Sequence, residues 1–199
     1  MTTDVQQQFD ISTAEFYSGA ANGSDKYWAE QARNAGIKVK DYTGVEYRAV
    51  PEQYRTTVLE REYAEARGFL GKPVLPIKNI NNDMDPGVLT RRDMMQADKA
   101  DAIFAIAERI VKPGETELSG GREYPNETGH DNVQGGTANA VARGILRGIP
   151  VYVFDQSDET WKVWDGNSKS FVPTEEPALT THAAVIGTRG LNDAGKQAI

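Results

Sequence analysis

Short apolar segments alternate with helix-like stretches along the chain. The segments have the length of β-strands and carry β-branched or aromatic residues. They are AEFYSG (14–19), IKVKDY (37–42), KPVLPI (72–77), DAIFAIA (101–107), PVYVFD (150–155) and AAVIGT (183–188). Patterns that predict helices lie at 24–36, 51–71, 85–100 and 136–148. This alternation predicts an α/β fold, a parallel sheet with helices on both faces.

Two stretches depart from the alternation. Residues 112–134 show no apolar periodicity and are expected to form one long loop, of a length that is often functional. Residues 161–172 predict a β-hairpin around Asp165-Gly166-Asn167, an appendage beside the main sheet. At 199 residues the chain has room for one sizeable core, so a single domain over 1–199 is expected.

Composition excludes several kinds of chemistry. The chain has no cysteine, which excludes disulfides, thiolate zinc sites and cysteine nucleophiles. Its two histidines cannot form a histidine-rich metal site, and neither a metal nor a cofactor is predicted. The formal charge of -7 argues against a broad nucleic-acid-binding face, which needs clustered Lys and Arg. A small anionic ligand needs only a few local donors and stays allowed.

The sequence shows neither a membrane span nor a secretory signal. No apolar run approaches the roughly 18 to 20 residues that cross a bilayer. The first fifteen residues lack both a basic start and an apolar stretch. A cytoplasmic location is therefore expected.

Three loops have the composition of anion-binding sites at the carboxyl ends of strands. The first runs from Tyr17 to Asp25 and contains Gly19, which permits close backbone approach, and the hydroxyl of Ser24. Its glycines would alternatively form only a tight turn, with Ser24 or Asp25 capping the next helix. Asn22 adds an amide to the same loop.

The second loop, 134–139, opens a helix with two glycines and a threonine. It predicts bare N–H groups and a hydroxyl at a phosphate site, or alternatively a turn with Thr137 as the helix cap. The third loop, 187–189, offers a hydroxyl and a guanidinium fork directly after a strand.

Arg91 and Arg92 add positive charge in a helix that leads to a strand. In its first turn they would be unfavourable without a bound anion, so one of them is expected to face the ligand; the alternative is pairing with Asp93 and Asp98. The complete set of predicted ligand-binding residues is Ser18, Gly19, Ser24, Asp25, Arg91, Arg92, Gly135, Gly136, Thr137, Asn139, Gly187, Thr188 and Arg189.

These loops together resemble the SLOG superfamily, the Rossmann-like domains named after Smf/DprA and LOG proteins. YSGAANGSDKYWAE is similar to their Ser-Gly-Gly-Ala-x-Gly-Ala-Asp stretch, with Ala20-Ala21-Asn22 replacing the commoner residues. LTRRDMMQADKADAIFAI resembles their Arg-containing helix and Ala-Asp-Ala strand, and GGTANAVARGILRGIPVYVFD their Gly-Gly-Thr loop, helix and closing strand. In particular, the chain resembles the small DprA-like proteins found in bacteriophage genomes.

Motif order departs from that family. The last seventeen residues resemble the Gly-Ser/Thr-Arg unit that opens DprA-like domains, and here that unit comes last. This is the order of a circular permutant, which is physically accessible when the chain ends lie close together. The segment 183–188 is therefore expected beside the strand AEFYSG, with Thr188 and Arg189 next to Ser18 and Gly19.

The resemblance implies a small nucleotide-derived ligand, with a base stacked on Tyr17 or Trp28. LOG-type members are phosphoribohydrolases that use a Glu shortly after the phosphate loop, where this chain has Asn139-Ala140. A hydrolase would need another carboxylate, from Asp25 or Glu30.

Two other branches of the superfamily imply different functions. DprA binds single-stranded DNA through a basic groove, for which this acidic chain shows no basic stripe. SLOG domains of antiphage effectors resemble receptors for ADP-ribose derivatives. Binding without turnover is the leading interpretation: a phage protein in the host cytoplasm that sequesters or senses a bacterial immune signal. The family also implies a homo-oligomer.

Overall fold

A seven-stranded sheet forms the centre of the computed structural model, which describes residues 9–119 and 121–199. In chain order the strands are β1 Glu15–Ser18, β2 Lys38–Asp41, β3 Ala102–Ala107, β4 Ile110–Val111, β5 Thr116–Ser119, β6 Arg122–Pro125, β7 Asn132–Val133, β8 Val151–Asp155, β9 Thr160–Asp165, β10 Ser170–Pro173 and β11 His182–Gly187. The helices are α1 Ser24–Asn34, α2 Gly44–Ala49, α3 Glu52–Tyr54, α4 Glu60–Phe69, α5 Pro86–Asp98, α6 Thr137–Leu146 and α7 Asp193–Gln197. A π-helical turn, Arg55–Leu59, joins α3 to α4.

The sheet has the order β10-β9-β8-β3-β11-β1-β2. Its five strands from β8 to β2 are parallel, whereas β9 pairs antiparallel with both β8 and β10. Strand β11 lies between β1 and β3, with Phe16 opposite Ala183 and Phe104 opposite Val185. The expected place of 183–188 beside the first strand is thus confirmed.

Helices cover both faces of the sheet, as predicted. Alternate residues of a strand point to opposite faces. Ile103 and Ala105 of β3 share one core cluster with residues of α4, α5 and α6, while Phe104 packs on the other face in a cluster with Trp28 of α1. Ala194 and Ala198 of the α7 segment pack against that second cluster. The chain therefore has an α/β architecture with a mostly parallel sheet.

Three predicted elements need correction. Segment 72–77 is not a strand, because Pro73 and Pro76 have no N–H to give to a ladder. The predicted loop 112–134 contains a β5–β6 hairpin and part of a two-stranded β4–β7 sheet. The hairpin predicted at 161–172 exists, but it is no appendage: β9 pairs with β8 and continues the main sheet.

The start of α5 is also different from the expectation. Asp85 caps the helix through its side chain, which accepts from the N–H groups of Gly87 and Val88, and Pro86 is the first helical residue. Arg91 and Arg92 therefore lie in the second turn and not in the first. In the part of the chain described here, no helix is both long and apolar enough to cross a membrane.

Candidate functional site

A cleft of about 850 Å³ opens at the carboxyl ends of the central strands. The three predicted loops line it through Ala21 and Asp25, through 134–137 with Asn139, and through 187–189. Helix α7 follows β11 on one face of the sheet, and the chain that leaves the neighbouring strand β3 leads to α6 on the other face. Chains that leave neighbouring strands toward opposite faces leave a crevice between them, which is where α/β sheets bind ligands.

The first and third loops are in direct contact. Both Oγ and the backbone N–H of Ser24 donate to the Thr188 carbonyl, at 2.9 and 3.0 Å. The N–H of Gly187 donates to Asp25 Oδ1 at 2.8 Å. Gly23 has φ 94°, and a Cβ there would lie 2.6 Å from Arg189 Cα. Ser24 and Asp25 thus join the two loops, and Asp25 also faces the cleft.

The second loop presents the start of α6 to the cleft. Gly135 has φ 85°, and no side chain caps the helix at Gly136. The N–H of Asn139 donates to the Gly136 carbonyl at 3.0 Å, so an anion would meet the first-turn N–H groups that precede Asn139. Thr137 lies in the first turn on the cleft wall. Asn139 supports the loop: its Nδ2 donates to the Gly136 carbonyl at 2.9 Å, and its Oδ1 accepts from Arg67 Nη1 at 3.2 Å.

The cleft carries more positive than negative side chains. Its cations are Arg67, Lys72, Lys78, Arg92, Arg122 and Arg189, and its carboxylates are Asp25, Asp93 and Glu108. This excess is local, because the whole chain has a formal charge of -7. A local excess of cations favours the binding of a small anion.

Only one of the two predicted arginines faces the cleft. Arg92 donates to the carbonyls of Gly19 and Tyr42, and its Nη2 lies 3.6 Å from Asp93 Oδ1. Arg91 turns away: its Nη2 donates to Glu60 at 2.7 Å, and its guanidinium carbon lies 4.1 Å from the Tyr63 ring centroid. A step of one residue rotates a side chain by about 100° around a helix, which separates the two roles.

Two carboxyl groups on the cleft wall are held in conditions that favour protonation. Burial, and then repulsion from Asp93, raise the pKa of Asp25 to about 7, against the hydrogen bond from Gly187. Burial raises the pKa of Asp93 to about 6, although Arg92 and Arg189 oppose the change. Near neutral pH this pair can therefore both accept and donate a proton.

Several predicted residues lie elsewhere. Tyr17 and Trp28 are 3% and 4% exposed within the core, so neither ring is placed to stack on a ligand in this cleft. Ser18 is fully buried and donates through Oγ to the Asp25 carbonyl. Glu30 is at the surface, where Lys26 lies 3.9 Å from its carboxylate.

The cleft residues that were not predicted include Arg67, Lys72, Arg122 and Tyr124. Two of them belong to the β5–β6 hairpin, whose signal in the sequence is the Gly-Gly pair at 120–121 between two short polar segments. The others lie at the end of α4 and just after it, where nothing local marks a cation as part of a site. Comparison with protein-family models, with curated proteins and with solved structures gave no match for this chain.

Proposed function

We propose that the protein binds a small nucleotide-derived anion, of the ADP-ribose or cyclic-nucleotide type, in the cleft at the carboxyl ends of β1, β11 and β3. The strongest support is that the N-terminus of α6 lies in a cleft with more cations than carboxylates, although the chain as a whole is acidic. Phosphates are among the anions that such a helix start binds. A volume of about 850 Å³ is enough for a ligand of this size.

We further propose that the chain is a circularly permuted SLOG-type domain. Read from one edge, its parallel strands run β2-β1-β11-β3-β8. If β11 is counted as the first strand, this becomes the order 3-2-1-4-5 of a doubly wound nucleotide-binding sheet. As a phage protein it would sequester or sense a bacterial immune signal in the host cytoplasm, as a homo-oligomer.

A thermal-shift screen followed by calorimetry tests the binding proposal. We expect ADP-ribose, a cyclic ADP-ribose isomer or a mononucleotide to raise the melting temperature. Thr137→Ala and Arg189→Ala should weaken that ligand by about tenfold, because each removes a donor to a charged group. Arg33→Ala, at the surface on α1, is the control and should leave the affinity unchanged. If no ligand of the panel stabilises the wild type, the proposal is wrong.

The Asp25–Asp93 pair favours a second candidate, hydrolysis of an N-glycosidic bond. Water would attack the sugar carbon that carries the base, one carboxylate would take a proton from the water, and the protonated partner would give one to the leaving base. Incubation with nucleoside monophosphates and chromatography for free base tests this. Base release that is lost in Asp25→Asn and Asp93→Asn would replace the binding proposal, and absence of release would remove the hydrolase.

A further inference from the structure

Within the described residues, the wall of the cleft has one aromatic side chain, Tyr124 of β6. The ring is half-buried, so part of it contacts the protein and part is open. The two rings predicted for stacking, Tyr17 and Trp28, are enclosed in the core. A planar group bound in the cleft therefore has a single aromatic partner available to it.

The Tyr124 ring is held in position by charged neighbours. Glu117 of β5 lies directly opposite Tyr124 in the hairpin. Glu117 forms an ion pair with Lys72 in which the side chains are 2% and 5% exposed, and Lys72 Nζ lies 5.4 Å from the Tyr124 ring centroid. Breaking a buried ion pair is strongly destabilising, so this contact fixes the hairpin against the segment after α4. A ring fixed before binding loses little conformational entropy when a ligand stacks on it.

A row of side chains connects this ring to the phosphate loop. Asn139 contacts the Gly136 carbonyl, and Arg67 donates to Asn139. Lys72 and Tyr124 line the same cleft as Arg67. One cleft thus offers N–H groups at the start of α6, cations along its wall, and an aromatic face.

Arg122 belongs to the same aromatic end. It lies two residues before Tyr124 on β6, so the two side chains point to the same face of the hairpin. Both line the cleft. A guanidinium beside an aromatic ring extends the surface on which a planar group can stack.

We propose that Tyr124 stacks on the planar base of the ligand, and that the β5–β6 hairpin thereby selects phosphates that carry a planar ring. This inference rests on the proposed binding function. It replaces Tyr17 and Trp28 as the partners of the base. The ligand class is a nucleoside phosphate, with its phosphate at 135–137 and its base against Tyr124 and Arg122.

Calorimetry with two matched ligands tests the proposal. AMP carries a phosphate and a base, while ribose 5-phosphate carries the phosphate and lacks the base. Tyr124→Leu keeps an apolar side chain but removes the ring, and we expect it to weaken AMP by about tenfold or more. Binding of ribose 5-phosphate should change by less than about twofold. Tyr124→Phe, which keeps the ring, should bind AMP as the wild type does. Tyr54→Leu, a surface tyrosine of α3 outside the cleft, is the control and should change neither affinity.

Each other outcome has a distinct meaning. If Tyr124→Leu weakens both ligands alike, the residue supports the cleft and does not stack, and the proposal fails. It fails equally if neither affinity changes. If the wild type binds neither AMP nor ribose 5-phosphate, the nucleoside monophosphate assigned here is wrong and this inference fails. The proposed binding function is then decided by the ADP-ribose and cyclic ADP-ribose arms of the thermal-shift panel.

A measurement on the wild type keeps the test decisive even if Tyr124→Leu does not fold. Nuclear Overhauser effects from the adenine H2 and H8 protons of AMP should reach the ring protons of Tyr124. Those protons are identified by selective labelling of tyrosine. The signals that disappear from the tyrosine-labelled spectrum of Tyr124→Phe belong to Tyr124. Effects to another aromatic ring in place of Tyr124 would overturn the proposal.

Discussion

At the scale of single residues, the Asp25 carboxyl makes stability depend on pH. Its pKa is about 7 in the folded protein and near 3.8 when exposed, so the folded state binds more protons than the unfolded state between these values. The stability that this proton contributes is present at low pH and is lost as pH rises through about 7. We expect the free energy of unfolding to fall by about 1 kcal/mol or more from pH 5 to pH 8, measured by urea unfolding.

Asp25→Asn should remove much of that slope. The amide oxygen can still accept from the Gly187 N–H, and the side chain no longer ionises. Glu30→Gln, an exposed position of the same helix, is the control and should keep the wild-type slope. A wild type whose stability is flat over this range, or an unchanged slope in Asp25→Asn, would contradict the assignment of the pH dependence to this carboxyl.

At the scale of elements, the contact of α1 with the loop after β11 depends on Gly23. Gly23 and Gly36 have similar left-handed φ values, 94° and 84°. Their surroundings differ: a Cβ at Gly23 would meet the backbone of 188–189, and a Cβ at Gly36 would meet nothing within 4 Å. Gly23→Ala should therefore cost about 2 to 4 kcal/mol, the sum of φ strain and overpacking. Gly36→Ala should cost only about 1 to 2 kcal/mol, the strain alone. Equal losses of unfolding free energy in Gly23→Ala and Gly36→Ala, measured in urea, would contradict this. They would show that the loop before α1 and the loop after β11 separate without a cost in stability.

Local patterns predicted the elements whose own residues decide their structure. Segments such as 101–107 and 183–188 form strands because their side chains are small or β-branched and are buried on both faces. The β5–β6 hairpin was missed because its inward residues are Glu117 and Tyr124, and Glu117 is buried only through Lys72, 45 positions away. No pattern within a short stretch of the sequence indicates that Glu117 pairs with Lys72.

The same limit applies to the site. The three loops were predicted because glycines, hydroxyls and strand ends are visible in sequence, and the structure brings all three to one cleft. The packing of the helices on the sheet decides which arginine of the pair faces the cleft. The same packing encloses Tyr17 and Trp28 in the core. Whether these residues bind a ligand stays a prediction.

At the scale of the whole molecule, the proposed permutation can be reversed. Phe9 and Ile199 both pack against the cluster that contains Phe16, so a flexible linker between Ile199 and Met1, followed by residues 1–8, is expected to join these two positions. A variant that begins at Glu176, passes through this linker and ends at Glu175 opens the irregular segment 174–180. We expect cooperative urea unfolding with a free energy within about 2 kcal/mol of the wild type.

A chain that stops at Thr181 is the matched comparison for this permutant. It leaves β1 and β3 without the strand between them, and we expect no cooperative transition. The opposite result would be cooperative unfolding of the shortened chain and loss of cooperative unfolding in the permutant. It would mean that β11 is dispensable to the fold and that the permuted order has no physical basis.

The central place of β11 also governs how the chain folds during its synthesis. Strands β1 and β3 leave the ribosome well before β11, which follows β3 by about 80 residues, or roughly 4 to 16 s of translation. Until then the apolar edge of β3, with Ile103 and Phe104, has no neighbour on that side. The nascent protein thus exposes an unpaired strand edge while about 80 of its 199 residues are added, and its yield in cells should depend on chaperones that cover such edges.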